Sequence, residues 1–363
     1  MTSYERVQAA VSHRQPDRPP LELLATDPAR EALRRRLGLA SEEELLSRLG
    51  VDFRTISLAI DKPQPLPAPL AAAGNPAGEL VVSPYGVVTR RTGAWELSGP
   101  AATSVAPLVG PFHESDDLEG FDWPTPEDVL HSMTVYTEVR RFNQAGLCTV
   151  AVCDNPFSIA CLMRQHERFL VDCGERPDFA SQLLVRISAV EFARAEGAVA
   201  AGARAAIIKG DIAFQQGPLV GPGLFRTHLR PLLEEFVFRM KAVKPDVLLF
   251  LHSSGNLESV LPDLAECGYA AVHPVDRECT TLEAFKEEHG SVLTLYGGVS
   301  TRRELVGRSP EAVRELVRRR IDRLGLGGGL ILAPTERISS EVPPENVLAM
   351  FEEGRREEHS GGP

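Results

Sequence analysis

Asp246–Ser254 reads DVLLFLHSS, and this stretch decides the fold. A near-continuous apolar run of this length indicates a strand buried on both faces, as in a parallel sheet. The same pattern, followed by a helical pattern, recurs at Leu147–Asp154, Ala205–Asp211, Ala270–Asp276, Val292–Ser300 and Gly329–Glu336. Two further candidate strands, Pro20–Ala25 and Val51–Ile56, precede them. Eight strands alternating with helices predict an α/β fold, a single (β/α)8 TIM barrel.

Amphipathic helix patterns lie between these strands. They span His131–Ala145, Phe157–Cys173, Pro177–Val199, Phe225–Val243, Leu257–Cys267, Leu282–His289 and Glu311–Leu324. The segment Asp61–Asp128 breaks this rhythm, because it is rich in Pro and Gly and its stretch GELVVSPYGVVTRRTGAW alternates like a β-hairpin. We expect this hairpin excursion to cover one end of the barrel. Residues 1–355 then form one domain, and residues 356–363 form a frayed tail.

Composition excludes several classes of protein. The net charge of −11 argues against a nucleic-acid surface, which needs clustered Lys and Arg. Six cysteines without a C-x-x-C pair, in a chain whose first residues carry no apolar signal segment, predict a reduced, cytoplasmic protein. No stretch approaches the length of apolar sequence that a membrane span requires.

Polar residues follow the apolar runs of all six later strands. In barrels of this type the chemistry is carried out at the carboxyl ends of the strands, so we expect these groups to converge. They are Asp154 and Asn155, Lys209 and Asp211, His252 to Ser254, His273 and Asp276, Ser300, and Thr335 to Arg337. Their convergence is stronger support for a site than any one of them.

His252, Asp211 and Asp154 are the candidate catalytic groups. His252 follows VLLFL and titrates near neutrality in its ordinary state, which suits a general acid or base or a metal ligand. The alternative is a core histidine bonded to a backbone carbonyl. Asp211 follows AIIKG, and a carboxylate there is costly without a partner; a salt bridge to Lys209 or a helix cap is its structural alternative. Asp154 precedes Asn155-Pro156, and its two alternative roles are contact with the substrate and capping of the following helix.

Four longer stretches resemble the uroporphyrinogen decarboxylase superfamily. They are GDIAFQQGPLVGPGLFRTHLRP, LHSSGNLESVLPDLAECGYAAVHPVD, LTLYGGVSTRREL and GGGLILAPTERISSEVPPENVLAMFE, and the N-terminal ERVQAAVSHRQPDRPP and ELLSRLGVDFRTI are similar too. The resemblance covers nearly the whole chain and implies the (β/α)8 barrel. That superfamily holds the decarboxylase of haem biosynthesis and the methyltransferases that move methyl groups between corrinoid proteins and thiols.

The methyltransferase branch implies zinc held by a His-x-Cys pair and by a Cys after the last strand. The matching positions here are His252, Ser254 and Thr335, and a Ser or Thr hydroxyl is a poor substitute for a thiolate. We therefore expect no thiolate zinc site and no cofactor. His252 and Glu336 are the ligands to expect if a metal is bound, with Asp211 as a further oxygen donor.

The decarboxylase branch implies an N-terminal arginine motif that grips the substrate's carboxylates. The corresponding stretch here, LELLATDPAREALRRR, lacks that motif, and Arg54, Arg90 and Arg91 are the other cations expected near the mouth. The corrinoid-binding D-x-H-x-x-G is absent, so a methyl donor would be a separate corrinoid protein. The resemblance also implies a homodimer.

The resulting hypothesis is an enzyme that uses acid/base chemistry at the barrel mouth on a small carboxylate-bearing or methyl-accepting substrate. The alternatives are a corrinoid-protein-dependent methyltransferase with zinc and a barrel that binds a ligand without catalysis. Substrate contacts are expected from Gln216, Ser254, His273, Thr335, Glu336, Arg54 and Tyr85.

Overall fold

A computed structural model describes residues 1–72, 80–90, 108–275 and 281–356. The parallel strands are β1 (Phe53–Ile56), β4 (Cys148–Asp154), β5 (Ala205–Lys209), β8 (Leu248–His252), β9 (Ala271–Val275), β10 (Thr294–Val299) and β11 (Leu330–Pro334). Short antiparallel pairs are formed by β2 (Leu80–Val82) with β3 (Val88–Arg90) and by β6 (Ala213–Phe214) with β7 (Gly217–Pro218).

The helices follow the strands in the alternating order that the sequence predicts. They are α1 (Ser3–Val11), α2 (Asp27–Leu37), α3 (Glu42–Leu49), α4 (Ala68–Ala72), α5 (Met133–Gln144), α6 (Pro156–Arg164), α7 (His166–Glu175), α8 (Pro177–Ala200), α9 (Gly221–Leu224), α10 (Arg230–Val243), α11 (Leu261–Cys267), α12 (Leu282–Glu288), α13 (Pro310–Arg320) and α14 (Pro344–Gly354). The predicted helix Phe157–Cys173 is two helices, because Gln165 has a φ of 75° and breaks the backbone between α6 and α7.

The seven parallel strands form one curled sheet in the order β1-β4-β5-β8-β9-β10-β11. Seven of the eight predicted strands are therefore regular strands, and the α/β fold prediction is confirmed. The eighth, Pro20–Ala25, makes only single parallel bridges, Leu21 with Leu332 and Ala25 with Ile338. Prolines at 19 and 20 lack the N–H that a regular ladder needs.

The segment Pro20–Ala25 nevertheless joins the two edges of the sheet. Leu332 N donates to Pro20 O at 2.8 Å and Glu22 N donates to Leu332 O at 3.1 Å, which ties the segment to β11. On the other side Asp52 N, next to β1, donates to Leu21 O at 2.9 Å. The ring of parallel backbone closes through this irregular segment.

The inside of the sheet is filled by alternate residues of its strands. Val150, Ile207 and Phe250 belong to one buried cluster with Phe53 and Tyr296. The rings of Phe53 and Tyr296, from β1 and β10, stack across the interior with centroids 5.9 Å apart. Because side chains alternate faces along a strand, the residue two positions after each of these also points inward.

The predicted hairpin excursion contains the β2–β3 pair, and residues 78–79 and 91–95 of its quoted stretch lie outside the described residues. It packs against α6, since Phe112 N donates to Met163 O at 3.0 Å, and it is closed at its base by Asp61 N donating to Asp128 O at 2.7 Å. Residues 357–363 of the predicted tail also lie outside the described part. No helix among the described residues has the length and apolar character needed to cross a membrane.

Candidate active site

Four polar residues form a row across the carboxyl ends of adjacent strands. The register pairs Asp154 with Lys209, Lys209 with His252, and His252 with His273. In-register residues of parallel strands project from the same face, and neighbouring strands lie about 4.8 Å apart. Each of the four follows the inward-facing residues of its own strand, so the row lies on the inner face at the top of the sheet.

Lys209 and His252 of the row keep partial exposure to solvent, whereas Asp154, His273 and the layer beneath the row are buried. Ile207 and Phe250 are buried, but Lys209 and His252, two residues further on, keep partial exposure. Thr55, which also follows an inward-facing residue, is exposed. The carboxyl end of the sheet is therefore a recess with an aromatic floor, and we call it the mouth.

The two histidines of the row form a defined hydrogen-bond chain. His273 Nε2 lies 3.2 Å from Pro334 O, and a carbonyl only accepts, so Nε2 of His273 carries the proton. In neutral His273 the other nitrogen, Nδ1, is then an acceptor, and it lies 2.7 Å from Nδ1 of His252. Nδ1 of His252 must donate, which leaves Nε2 of His252 unprotonated, with its lone pair available to a ligand.

Both imidazoles are held neutral. Burial, followed by the charges of Lys209 and Arg337, lowers the pKa of His252 to about 3. Burial, followed by the neighbouring His252, lowers the pKa of His273 well below its ordinary value. The His273 ring lies edge-on to Tyr296, with centroids 4.7 Å apart, so the floor of the mouth supplies this desolvation.

Asp154 belongs to a buried polar network with α8. Arg194 Nη1 donates to Asp154 Oδ2 at 3.1 Å and to Glu191 Oε2 at 2.5 Å, and Glu191 Oε2 also accepts from Asp154 N at 2.9 Å. Burial and the charge of Glu191 raise the pKa of Asp154 above its ordinary value, while Arg194 opposes that shift. Tyr85, a predicted substrate contact, is fully buried and donates to Glu191 Oε1 at 2.7 Å. It reaches the row only through this network.

Asp211 and Ser254 connect the loops that follow β5 and β8. Asp211 Oδ1 accepts from Ser254 N at 2.7 Å, and Asp211 O accepts from Ser158 Oγ at 3.1 Å. The Ser254 residue is exposed, and Gln216 is exposed between β6 and β7. These three predicted site residues border the row without belonging to it.

The remaining predicted contacts are dispersed. Thr335 follows β11, and its buried hydroxyl has no hydrogen-bond partner among the described residues. Glu336 lies 3.1 Å from Arg302 Nε. Arg54 points to the outer face, where it is buried against α3 and pairs with Glu43 at 2.7 Å, so the structure places it away from the mouth. Arg90 is exposed on β3, and the predicted cation Arg91 lies outside the described residues.

Three charged residues at the mouth were not among the predicted catalytic or substrate-binding groups. Glu22 alternates with Leu21 and Leu23, which pack in the outer cluster, so its side chain points inward. Lys209 occupies the second place in the row, and Arg337 follows Thr335. The alternation of side chains in Pro20–Ala25 could have identified Glu22 as a site residue. A charged residue among leucines in a strand must face an opening or a charged partner.

The side chains at the mouth do not fit the zinc site that the sequence resemblance implies. Of the three matching positions only His252 offers a strong zinc donor, and the Ser254 and Thr335 hydroxyls cannot replace thiolates. Glu336 is already paired with Arg302. Within the described ranges no three His, Cys, Asp or Glu side chains are grouped as a metal site would require. The five described cysteines are all buried and unpaired.

A hollow elsewhere on the surface is a weaker candidate for a functional site than the mouth. Tyr136, Arg140, Asn143 and Arg204 line it at the opposite, amino-terminal end of β4 and β5. Two of its polar groups are bonded within the protein: Arg204 Nη1 donates to Leu147 O at 2.8 Å and Asn143 Nδ2 donates to Gly202 O at 2.8 Å. The mouth remains the better candidate site.

Comparisons with known proteins give a consistent result. Residues 102–357 match the family model for uroporphyrinogen decarboxylase (URO-D). Over 198 residues the chain is 25% identical to the Methylcobamide:CoM methyltransferase MtaA of Methanosarcina barkeri, covering 54% of this chain and 55% of that relative, so the match spans about half of the relative's length. A solved methyltransferase from Methanosarcina mazei superposes with a TM-score of 0.65 at 19% identity, covering 98% of each chain. That likeness shows the fold.

Proposed function

Because this chain belongs to the uroporphyrinogen decarboxylase family, we propose that it is an enzyme that acts on a small carboxylate-bearing substrate at the mouth. The proposed chemistry is acid/base chemistry without a thiolate zinc site. One observation carries the proposal: Asp154, Lys209, His252 and His273 form one in-register row, and the lone pair of His252 Nε2 faces no partner among the described residues.

Each member of the row has a distinct part in this proposal. His252 Nε2 accepts a hydrogen bond from the substrate, and His273 fixes the tautomer that makes this possible. Lys209 places a positive charge where negative charge develops. Asp154, whose pKa is raised by burial and by Glu191, is the acid. In a decarboxylation the C–COO⁻ bond breaks, CO2 leaves, the electron pair stays on carbon, and Asp154 gives its proton to that carbon.

The test is release of CO2 from candidate carboxylates, beginning with uroporphyrinogen and coproporphyrinogen and continuing through small carboxylic acids. His252→Gln and Asp154→Asn should each lower kcat by about 10²- to 10⁴-fold, the contribution of a positioned acid or base. His166→Gln is the matched control, because His166 is an exposed histidine at the start of α7. Full activity of both mouth variants would reject the assignment.

Methyl transfer is the second candidate, and the match to a Methylcobamide:CoM methyltransferase favours it. In that reaction His252 Nε2 would take the proton of the acceptor thiol, and a separate corrinoid protein would bring the methyl group. A base with a pKa of about 3 takes a thiol proton poorly, which places this candidate second. Loss of the methylcobalamin absorbance in the presence of coenzyme M would support it. Zinc bound at one equivalent, and lost in His252→Ala, would overturn the metal-free proposal.

A ligand-binding barrel without catalysis is the third candidate, and turnover of any carboxylate or methyl donor dismisses it. We further propose that the protein is cytoplasmic and forms a homodimer. The oligomeric state is tested by light scattering of the purified protein over a tenfold range of concentration.

A further inference from the structure

Glu22 and Lys209 face each other across the mouth without a direct bond. Glu22 is 8% exposed and points inward from the segment that joins β11 to β1. Lys209 points inward from β5, and it is the largest opposite charge acting on Glu22. Neither side chain has a hydrogen bond or ion pair within the described residues. A charged side chain without a partner inside a recess is costly, so each of the two is a group that a ligand of opposite charge can stabilise.

Arg337 adds a second uncompensated cation to the mouth. It is exposed and unpaired among the described residues, and its charge acts on both Lys209 and His252. Arg30, the other cation that acts on Glu22, is engaged: it donates to Ala25 O at 3.1 Å and pairs with Glu42. Within the described part of the chain, the mouth therefore offers two cations and one carboxyl group that have no ion pair.

We propose that Lys209, Arg337 and Glu22 form a proton-coupled carboxylate site, in which the two cations receive a carboxylate of the ligand and Glu22 takes up a proton as it binds. The site lies at the mouth of the proposed function and names its substrate class. It holds for any ligand carboxylate there, whether or not the ligand is then decarboxylated.

The coupling between carboxylate binding and protonation of Glu22 follows from the repulsion between two negative charges. Burial raises the pKa of Glu22 to about 7, and Lys209 is the main group that opposes this rise. A ligand carboxylate that engages Lys209 removes this opposition and brings a second negative charge close to Glu22, so the pKa of Glu22 rises further. The pKa is then higher in the complex than in the free protein. Binding takes up a proton and becomes tighter as pH falls through about 7.

Among the other charged and titratable groups around Glu22, Asp154 also has its pKa raised to about 7, by burial and by the charge of Glu191. His252 on β8 and His273 on β9 are neutral, because burial lowers the pKa of each. Cys148 on β4 is fully buried, and burial raises its pKa well above neutrality. Asp154 on β4 bonds to Arg194 inside its own network. The guanidinium of Arg337 remains charged throughout. Glu22 and Asp154 are therefore two groups near Lys209 through which pH can act on ligand binding, and of these Glu22 is the one whose side chain has no partner among the described residues.

Isothermal titration calorimetry with succinate as the probe, in buffers of different ionisation enthalpy, counts the protons taken up. With a free-state pKa of about 7, the protonated fraction of Glu22 falls by about 25-fold between pH 6.5 and 8.5, and the affinity should fall towards that factor. Sulfate serves as the tetrahedral comparison. Sulfate binding as tightly as succinate, or no heat from either anion at 50 mM, would overturn the proposal.

Variants separate the parts of the site. Glu22→Gln should bind succinate with less proton uptake and a weaker pH dependence than the unmodified protein, and at pH 8.5 it should bind more tightly. Lys209→Met should weaken succinate binding by about tenfold or more, because a charge-assisted bond is lost. Glu287→Gln and Lys241→Met, exposed residues on α12 and α10, are the matched controls.

Two outcomes would overturn this part of the proposal. One is proton uptake that is as large in Glu22→Gln as in the unmodified protein, and the other is unchanged binding in Lys209→Met. The far-ultraviolet circular dichroism of each variant confirms that it is folded. Failure of the proposed reaction can be distinguished from failure of the carboxylate site. If only the reaction fails, succinate still binds with proton uptake although no carboxylate is turned over.

Discussion

Tyr85→Phe tests whether the excursion is fastened to the barrel by a buried hydrogen bond. The Tyr85 hydroxyl is fully buried and donates to Glu191 Oε1 at 2.7 Å, and no other group bonds to that oxygen among the described contacts. A hydrogen bond to a charged group contributes about 1.5–3 kcal/mol, and the substitution creates almost no cavity. Because Glu191 keeps Arg194 and Asp154 N through its other oxygen, we expect the loss to lie within that range.

The assay is urea unfolding at pH 7, with the free energy of unfolding extrapolated to zero urea at constant slope. Tyr136→Phe is the matched control, because Tyr136 is 39% exposed and its hydroxyl has no bond within the described residues. The control should stay within about 0.5 kcal/mol of the unmodified protein. Equal stability of the two variants would refute the proposal that the Tyr85–Glu191 hydrogen bond holds the excursion to the barrel. A change in succinate binding with no loss of stability would place Tyr85 in the substrate site instead.

Three further predictions concern the barrel and its base. Phe250→Ala removes a buried ring from the inner layer and should cost about 3–5 kcal/mol in the same unfolding assay. Asp52→Asn should cost about 3–5 kcal/mol, because buried Asp52 accepts from Arg6, from Arg18 and from a backbone amide, and the change leaves Arg18 without a carboxylate partner and Arg6 with Asp17 alone. A loss below 1 kcal/mol would contradict this. Hydrogen bonds from Arg6 and the N-terminal amine lower the pKa of Asp17 from 3.8 to about 2, so its stabilisation is present above pH 3.8 and is lost as pH falls towards 2. Asp17→Asn should flatten that part of the stability profile, and an unchanged slope would be the contrary result.

The sequence predicted the regular part of the fold well, because short apolar runs that alternate with amphipathic helix patterns are typical of the buried strands of a parallel sheet. The run at Asp246–Ser254 corresponds to β8, Leu248–His252, with the predicted ends trimmed. The short run Pro20–Ala25 was correctly placed as the eighth segment, but prolines prevented a regular strand. The break at Gln165 depends on one backbone angle, which amphipathic periodicity does not reveal.

The candidate site was only partly predictable. Strand-end reasoning found His252, His273 and Asp154, because register places strand ends side by side. It did not identify Glu22, whose inward direction depends on which of two alternating faces meets the core. Tyr85 and Arg54 were also predicted as substrate contacts, whereas in the structure both of them have partners within the protein. Side-chain partners depend on three-dimensional packing, which the order of residues along the chain does not contain.

The most direct test of the account is the protonation state of the His252 imidazole, measured by ¹⁵N NMR across pH 5 to 8 in protein with labelled histidine. We predict a neutral ring throughout, protonated at Nδ1 and unprotonated at Nε2, with His273 protonated at Nε2. A His252 ring that gains a proton near pH 6.5, or that carries its proton on Nε2, would contradict the central claim that a free lone pair faces the mouth.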